Sequence, residues 1–540
     1  RIANCVIEGS KEGLTEDLDE LLQTMAPLDI INGPLMTGMD EVGRLFGSNE
    51  LIVAEVLESA EAMKAAVGHL EPHMESAESS SRGTIILATV KGDVHDIGKN
   101  LVDIILSNNG YKIVNLGIKV PPQDLIEAYN NHKPDIIGLS GLLVKSAQMM
   151  VDTARDFKSS GIGCPILVGG AALTNRFTRL RIAPQYDGLV VYAKDAMHGL
   201  EMAGKIMNAA EREKLSTALL AETQDLQTDE QAKQAAGGRA PKERPAAQVA
   251  QVNAAPTPPD LRLQVIQDYD LSEIFQYINP QMLYVRHLGY RGRFTEALAE
   301  GEERAVALRE KVKQVEDIML ARQDIQARAL YKFFRAASEG DDVLILSPDG
   351  KQVLERFRFG RQSQDKGLCL SDYVLPLASG KPDYLGMFVT SVGPGVRALA
   401  MKWMEEGDYL ASHVLQILAL EGAEAFAELL HQRMRAMWGL PDPADISKVD
   451  LFRANYHGKR YSFGYPACPR LEDQAPLWRL LEPDKHLGVE LTEEFMMDPE
   501  GSVSAVVFHH PQAEYFNLSP EDTKRLEDAL EGAQTPAPSR

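Results

Sequence analysis

A multidomain α/β chain is predicted by three features of the sequence. The amino-terminal stretch has helical periodicity and no strand signal; five short apolar runs then alternate with amphipathic segments; a mixed region follows beyond a Pro- and Gln-rich stretch. In residues 1–78, LTEDLDELLQTM, GMDEVGRLF and LIVAEVLESAEAMKAAVGHL place apolar residues three and four apart, which predicts a helical bundle. In residues 79–211, GTIILATV, YKIVNLG, PDIIGLSG, CPILVGG and DGLVVYA read as five strands separated by helices, a doubly wound, Rossmann-like parallel sheet. Such sheets bind ligands beyond the carboxyl ends of their strands, where DVH, LSG and VGG lie. Residues 212–260 fill with Ala, Gln, Glu, Lys and Pro and read as a flexible linker. Residues 261–531 read as one α+β domain with two long helices and the strand candidates DVLILS, YLGMFVTS and SVSAVVFHH; 532–540 read as a tail.

The composition narrows the partners. Acidic residues outnumber basic ones 78 to 56, a net charge of −22, and no basic stretch stands out. Nucleic acid and anionic membranes are therefore disfavoured, and no apolar run approaches a membrane span. Cys5, Cys164, Cys369 and Cys468 are far apart and offer neither a CxxC pair nor a disulfide framework, which predicts a reducing cytoplasm. The chain opens on Arg1 inside a helical pattern, as a piece of a longer protein would.

The stretch KGDVHDIGKN, residues 91–100, puts an imidazole where a buried strand gives way to a helix. A histidine there can contact a phosphate, act as a general base or ligate a metal. Asp93 can accept its second ring N–H, and Gly92 lets a ligand approach the backbone closely. Together, Asp93-Val94-His95-Asp96-Ile97-Gly98, Ser140-Gly141-Leu142 and Gly169-Gly170 resemble the DxHxxG, SxL and GG motifs of corrinoid proteins. The resemblance implies cobalamin as cofactor, with its nucleotide tail in a slot formed by Gly138, Ser140, Gly141, Gly169 and Gly170. Gly92, Val94, Asp96, Gly98, Leu142, Val144 and Ala196 would complete the site, Val144 standing where some relatives have threonine. It further implies His95 as the axial ligand of cobalt, with Asp93 and Ser146 behind it as a proton relay. DEVGRLFG and the long helix after it resemble the cap over methylcobalamin, so Phe46 and Val53 would face the methyl group.

The segment RYSFGYPACP, residues 460–469, is similar to the RxxxGYPACP motif of the activation domain of cobalamin-dependent methionine synthases, which binds S-adenosylmethionine. By this resemblance Arg460 pairs with the ligand's carboxylate and Asp270 meets its ammonium, with Glu424 a further acidic candidate. Ser462, Gly464, Tyr465, Ala467, Tyr515 and Phe516 would shape the pocket, and Cys468 would be structural. Ala454 stands where relatives can have glutamate. The family transfers a methyl group from methyltetrahydrofolate to homocysteine through cob(I)alamin and methylcobalamin. The chain would hold the cofactor and perform reductive reactivation with S-adenosylmethionine and a flavodoxin-type reductase, as a monomer. The homocysteine module, with its zinc, and the folate module of the same protein are not recognisable in it. The alternative is a non-catalytic corrinoid carrier or sensor with a regulatory S-adenosylmethionine-binding domain.

Overall fold

Apolar residues one helical turn apart build the first layer. In the computed structural model, which describes residues 1–74, 81–235, 249 and 254–534, the bundle comprises Ile2–Ile7 (α1), Leu14–Leu22 (α2), Pro27–Ile30 (α3), Met36–Gly47 (α4) and Val53–Leu70 (α5). Val6, Leu18, Leu35, Val42, Val56 and Met63 meet in one buried cluster.

All five apolar runs form strands: Thr84–Thr89 (β1), Lys112–Asn115 (β2), Ile136–Ser140 (β3), Ile166–Gly169 (β4) and Val190–Ala193 (β5). Every pairing is parallel, in the order β2-β1-β3-β4-β5. The strand order reverses between β1 and β3, so the loops after them flank the crevice where ligands bind. Ile97–Asn108 (α6), Pro122–His132 (α7), Val144–Ser159 (α8), Asn175–Phe177 (α9) and Ala196–Met207 (α10) connect the strands or follow them. Apolar side chains on both faces of the sheet are buried in separate clusters.

The predicted linker begins as structure. Ala209–Ala235 form a helix (α11), since Ala, Gln and Glu favour helix as readily as they fill linkers. Leu215 and Leu219 pack against the cluster beneath α10, and Asn175 Nδ2 donates to Glu222 Oε1 at 2.6 Å. The rest of that stretch lies largely outside the described residues, as do 535–540 of the predicted tail.

Residues 261–531 contribute to both compact units of the chain. The chain divides into one unit of Arg1–Gly238, Pro280–Ala321 and Val396–Leu418, and a second of Arg239–Asn279, Arg322–Gly395 and Ala419–Arg540. In the first unit, paired charges join α5 to the later segments. Arg304 pairs with Glu55, Lys311 Nζ lies 3.0 Å from Glu58, and the Leu410 N–H donates to Glu61 at 2.9 Å.

The second unit is built on an antiparallel sheet of Gln264–Tyr269 (β6), Ala327–Glu339 (β7), Asp342–Leu346 (β8), Val353–Arg358 (β9), Asp383–Ser391 (β10), Lys459–Tyr461 (β11) and Ser502–Phe508. Between the last two, Glu490–Leu491 (β12) and Met497–Asp498 (β13) pair separately, so Ser502–Phe508 is β14. The order is β11-β14-β10-β7-β8-β9, with β6 also on β7. Leu330, Phe334, Val343, Phe357, Leu385 and Val506 lie in its core. Among the described residues no helix is long and apolar enough to cross a membrane.

Where β3 and β4 end, the two backbones touch. The Gly141 N–H donates to the Gly169 carbonyl at 3.2 Å. Gly170 has φ +139°, and a Cβ there would stand 1.7 Å from the Gly141 carbonyl oxygen. Gly170→Ala is therefore expected to destabilise the first unit by on the order of 3 kcal/mol. Urea unfolding followed by circular dichroism checks this.

Candidate functional site

The loop after β1 is fixed from beneath. Thr89 Oγ1 donates to the Asp93 carbonyl at 2.6 Å, and the Lys119 N–H donates to the same oxygen at 3.0 Å. Gly92 takes the turn at φ 77°. The Asp93 carboxylate is fully buried. Its Oδ1 accepts from the backbone N–H and from ring Nδ1 of His95, both at 2.8 Å. Its Oδ2 accepts from the Leu142 N–H at 2.9 Å and from the Ser146 hydroxyl. Burial alone would raise the Asp93 carboxyl, but the hydrogen bonds from His95 and Ser146 outweigh it and hold it below the usual range. In the neutral tautomer that donates from Nδ1, Nε2 of the partly exposed ring carries the lone pair. An imidazole oriented by a buried carboxylate is the arrangement that ligates a metal.

Beside this loop a slot of about 430 Å³ runs between sheet and helices. Leu87, Gly138, Ser140, Leu167, Gly169 and Gly170 form its sheet wall; Gly98, Lys99, Leu101 and Val102 of α6 and Ala196 and Gly199 of α10 form the other. Its glycines leave the width to a ligand. Leu142 and Val144, just after β3, are exposed apolar side chains, at 38% and 77%. Lys99 is buried, and Nζ donates to Asn100 Oδ1 at 2.6 Å and Asn115 Oδ1 at 2.8 Å. Burial lowers the pKa of its ammonium.

A second pocket, of about 320 Å³, opens in the second unit. Tyr409–Met437 form one long helix, and its Glu424 and Glu428 are a turn apart. Both reach Arg460 on β11: Nη1 lies 3.5 Å from Glu424 Oε2, and Nη2 lies 3.5 Å from Glu428 Oε2. Burial works against the Arg460 charge, but the two carboxylates more than restore it. The Tyr465 hydroxyl is 3.5 Å from Glu424 Oε1; that carboxylate, then burial, pushes it up to about 12. A guanidinium beside a carboxylate matches a ligand carrying both charges, as an amino-acid group does. Tyr515, Phe516, Pro466 and Ala467 offer apolar surface beside them.

The structure brings together most of the residues singled out in the sequence. Asp93, His95 and Ser146 are in contact, and Gly98, Ser140, Gly169, Gly170 and Ala196 line the slot. Glu424, Arg460, Ser462, Tyr465, Ala467, Tyr515 and Phe516 line the second pocket. Gly464 supports it from the turn, its N–H donating to the Cys468 carbonyl at 2.9 Å. Three further candidates lie outside the linings of these two cavities. Asp270 does not line the pocket; it caps the helix Leu271–Phe275 (α12), accepting from the Ser272 N–H at 2.8 Å. Phe46 of the cap is partly buried and packs against the bundle cluster. Val53 lies against Gly289, whose added Cβ would be 3.4 Å from Val53 Cγ2. Sequence reasoning missed Lys99 as a slot residue, and Tyr461 and Asn517 in the pocket.

Three family models match the chain. Two models described as B12 binding domains match residues 1–71 and 83–201. A model described as the activation domain of vitamin B12 dependent methionine synthase matches residues 270–531. A methionine synthase of Mycobacterium tuberculosis (strain ATCC 25618 / H37Rv) is 38% identical over 96% of this chain and 46% of its own length. One of Mycobacterium leprae (strain TN) is 36% identical over the same shares. The chain thus spans a little under half the length of these relatives. A crystal structure of the MetH reactivation domain bound to AdoHcy is 31% identical, with a TM-score of 0.48, over 52% of this chain and 88% of that one.

Cys468, beside the second pocket, is buried, with Sγ 3.0 Å from the Ser462 carbonyl, and burial pushes its thiol up. It is therefore expected to resist iodoacetamide in the folded chain even at pH 9 and to react in urea. Peptide mapping of the labelled sites checks this.

Proposed function

Because the chain carries the B12-binding domains and the activation domain of cobalamin-dependent methionine synthases, we propose that it holds cobalamin and reactivates it with S-adenosylmethionine. This serves the transfer of a methyl group from 5-methyltetrahydrofolate to homocysteine. The observation that carries the reading is the buried Asp93 carboxylate turning His95 beside a glycine-walled slot.

The residues fit the cofactor. The slot takes the nucleotide tail, and its glycines keep the sheet wall flat enough to admit it. His95 would hold the cobalt through Nε2, because Nδ1 is engaged by Asp93. Ser146 and Asp93 form a proton relay behind the imidazole: a proton held there weakens the histidine as a donor, and its release strengthens it. Bound there, the corrin supplies a cobalt centre that takes up and gives up a methyl group. In the second pocket Arg460 receives the carboxylate of S-adenosylmethionine and Glu424 its ammonium, so the ligand replaces a pair that already exists. The electron for reactivation comes from a flavodoxin-type donor, the kind of partner that an activation domain implies.

Two measurements test the reading. The chain mixed with methylcobalamin is expected to give a histidine-bound absorption spectrum, and His95→Ala a base-off one; identical spectra would remove His95 from cobalt. Under a one-electron reductant, label from the S-methyl group of S-adenosylmethionine is expected to enter the extracted corrinoid of the cob(II)alamin-loaded chain. A corrinoid fraction without label would reduce the chain to a carrier.

A further inference from the structure

Behind the mouth of the second pocket lies a buried polar cluster that ligand binding alone does not require. The Glu428 side chain is 10% exposed, deeper than that of Glu424 at 38%. Its Oε2 accepts from the Tyr456 hydroxyl at 3.2 Å and faces Arg460 Nη2. Its Oε1 lies 4.0 Å from Nη1 of Arg435, whose Nε and Nη2 are already held by Asp442 at 2.8 and 2.5 Å. The Arg435 guanidinium in turn stacks on the Tyr456 ring, 3.7 Å from its centroid. Tyr456 is thus wedged between a cation and the carboxylate it orients.

The two acidic partners of Arg460 are not equivalent. Glu424 sits at the mouth, where an incoming carboxylate takes its place. Glu428 sits in the interior, where no ligand reaches it. We propose that Glu428, oriented by Tyr456, is the positioning residue for Arg460: it keeps one edge of the guanidinium anchored while the other edge exchanges Glu424 for the ligand's carboxylate. A guanidinium whose only remaining partner was Glu424 would turn with it, and its fork would no longer face the ligand. The inference rests on the reading of this pocket as the S-adenosylmethionine site.

Calorimetric titration of the full chain tests it with two probes, S-adenosylhomocysteine, which has the amino-acid group, and 5′-methylthioadenosine, which lacks it. Glu428→Gln is expected to weaken the first by about tenfold or more and the second by less than about twofold, a selectivity that a general structural defect would not produce. Equal losses for both probes, or none, overturn the proposal. If E428Q does not fold, Tyr456→Phe, which removes only the orienting hydroxyl, must show the same probe-specific loss, and its absence is equally decisive. Arg460→Lys separates the two levels. If it binds S-adenosylhomocysteine as tightly as the parent, the pocket reading falls and this inference with it; an Arg460-dependent parent beside an unselective E428Q overturns this inference alone.

Discussion

The buried carboxylate of Asp93 receives four hydrogen bonds, two from His95 and one each from Leu142 and Ser146. These donors come from the loop after β1, the loop after β3 and the first turns of α8. One anion therefore ties together the two sides of the strand-order reversal, where the doubly wound sheet opens its crevice. An uncompensated charge in that position would be costly, so the loops have one arrangement in which it is satisfied. The direction of the imidazole follows from that arrangement, and the glycines beside it leave the space that the imidazole overlooks.

The same logic operates in the second unit with the sign reversed. Arg460 is the buried charge there, and two carboxylates from one helix compensate it. The first site holds its ion with donors from separate loops, whereas the second uses a helix and a strand, both rigid elements. A pocket that must accept a charged ligand without collapsing benefits from such walls. The long helix that contributes Glu424 and Glu428 is buried along much of its length, which keeps both carboxylates in register with β11.

Much of this was legible because the relevant patterns are local. Five apolar runs of strand length became five strands, and the His95 loop, the SxL segment and the glycine pair fell at their ends. The central strand of the second sheet, β7, was harder to see. Lys332 and Arg335 interrupt ALYKFFRAASE, and the Lys332 ammonium lies over the Phe334 ring, 4.7 Å from the centroid. α11 was obscured because the residues that make a soluble linker also make a good helix. Pairings between distant segments, such as Arg304 with Glu55 or Lys311 with Glu58, have no period in the sequence. Glu428 and Tyr456 were invisible for a related reason: a charge on a long helix reads as a solvated face until the helix is buried. Lys99, inside a motif that draws the eye to its histidine, is a buried cation held by Asn100 and Asn115, with the carboxylates of Asp96 and Asp103 favouring its charge.

The meeting of β3 and β4 at Gly141 and Gly170 also bears on how the slot can be altered. On the sheet side Gly138, Gly169 and Gly170 stand beside Leu87, Ser140 and Leu167; a Cβ at Gly138 would lie 2.4 Å from Leu87 Cδ2 and one at Gly170 1.7 Å from the Gly141 carbonyl oxygen, so those two glycines cannot be lengthened without moving their neighbours. The opposite wall is made of side chains, Leu101 and Val102 from α6 and Ala196 from α10. A change in the size of the slot is therefore better sought at those helix positions than at the glycines. Natural variants with different tail preferences would be expected to differ on that same helical side.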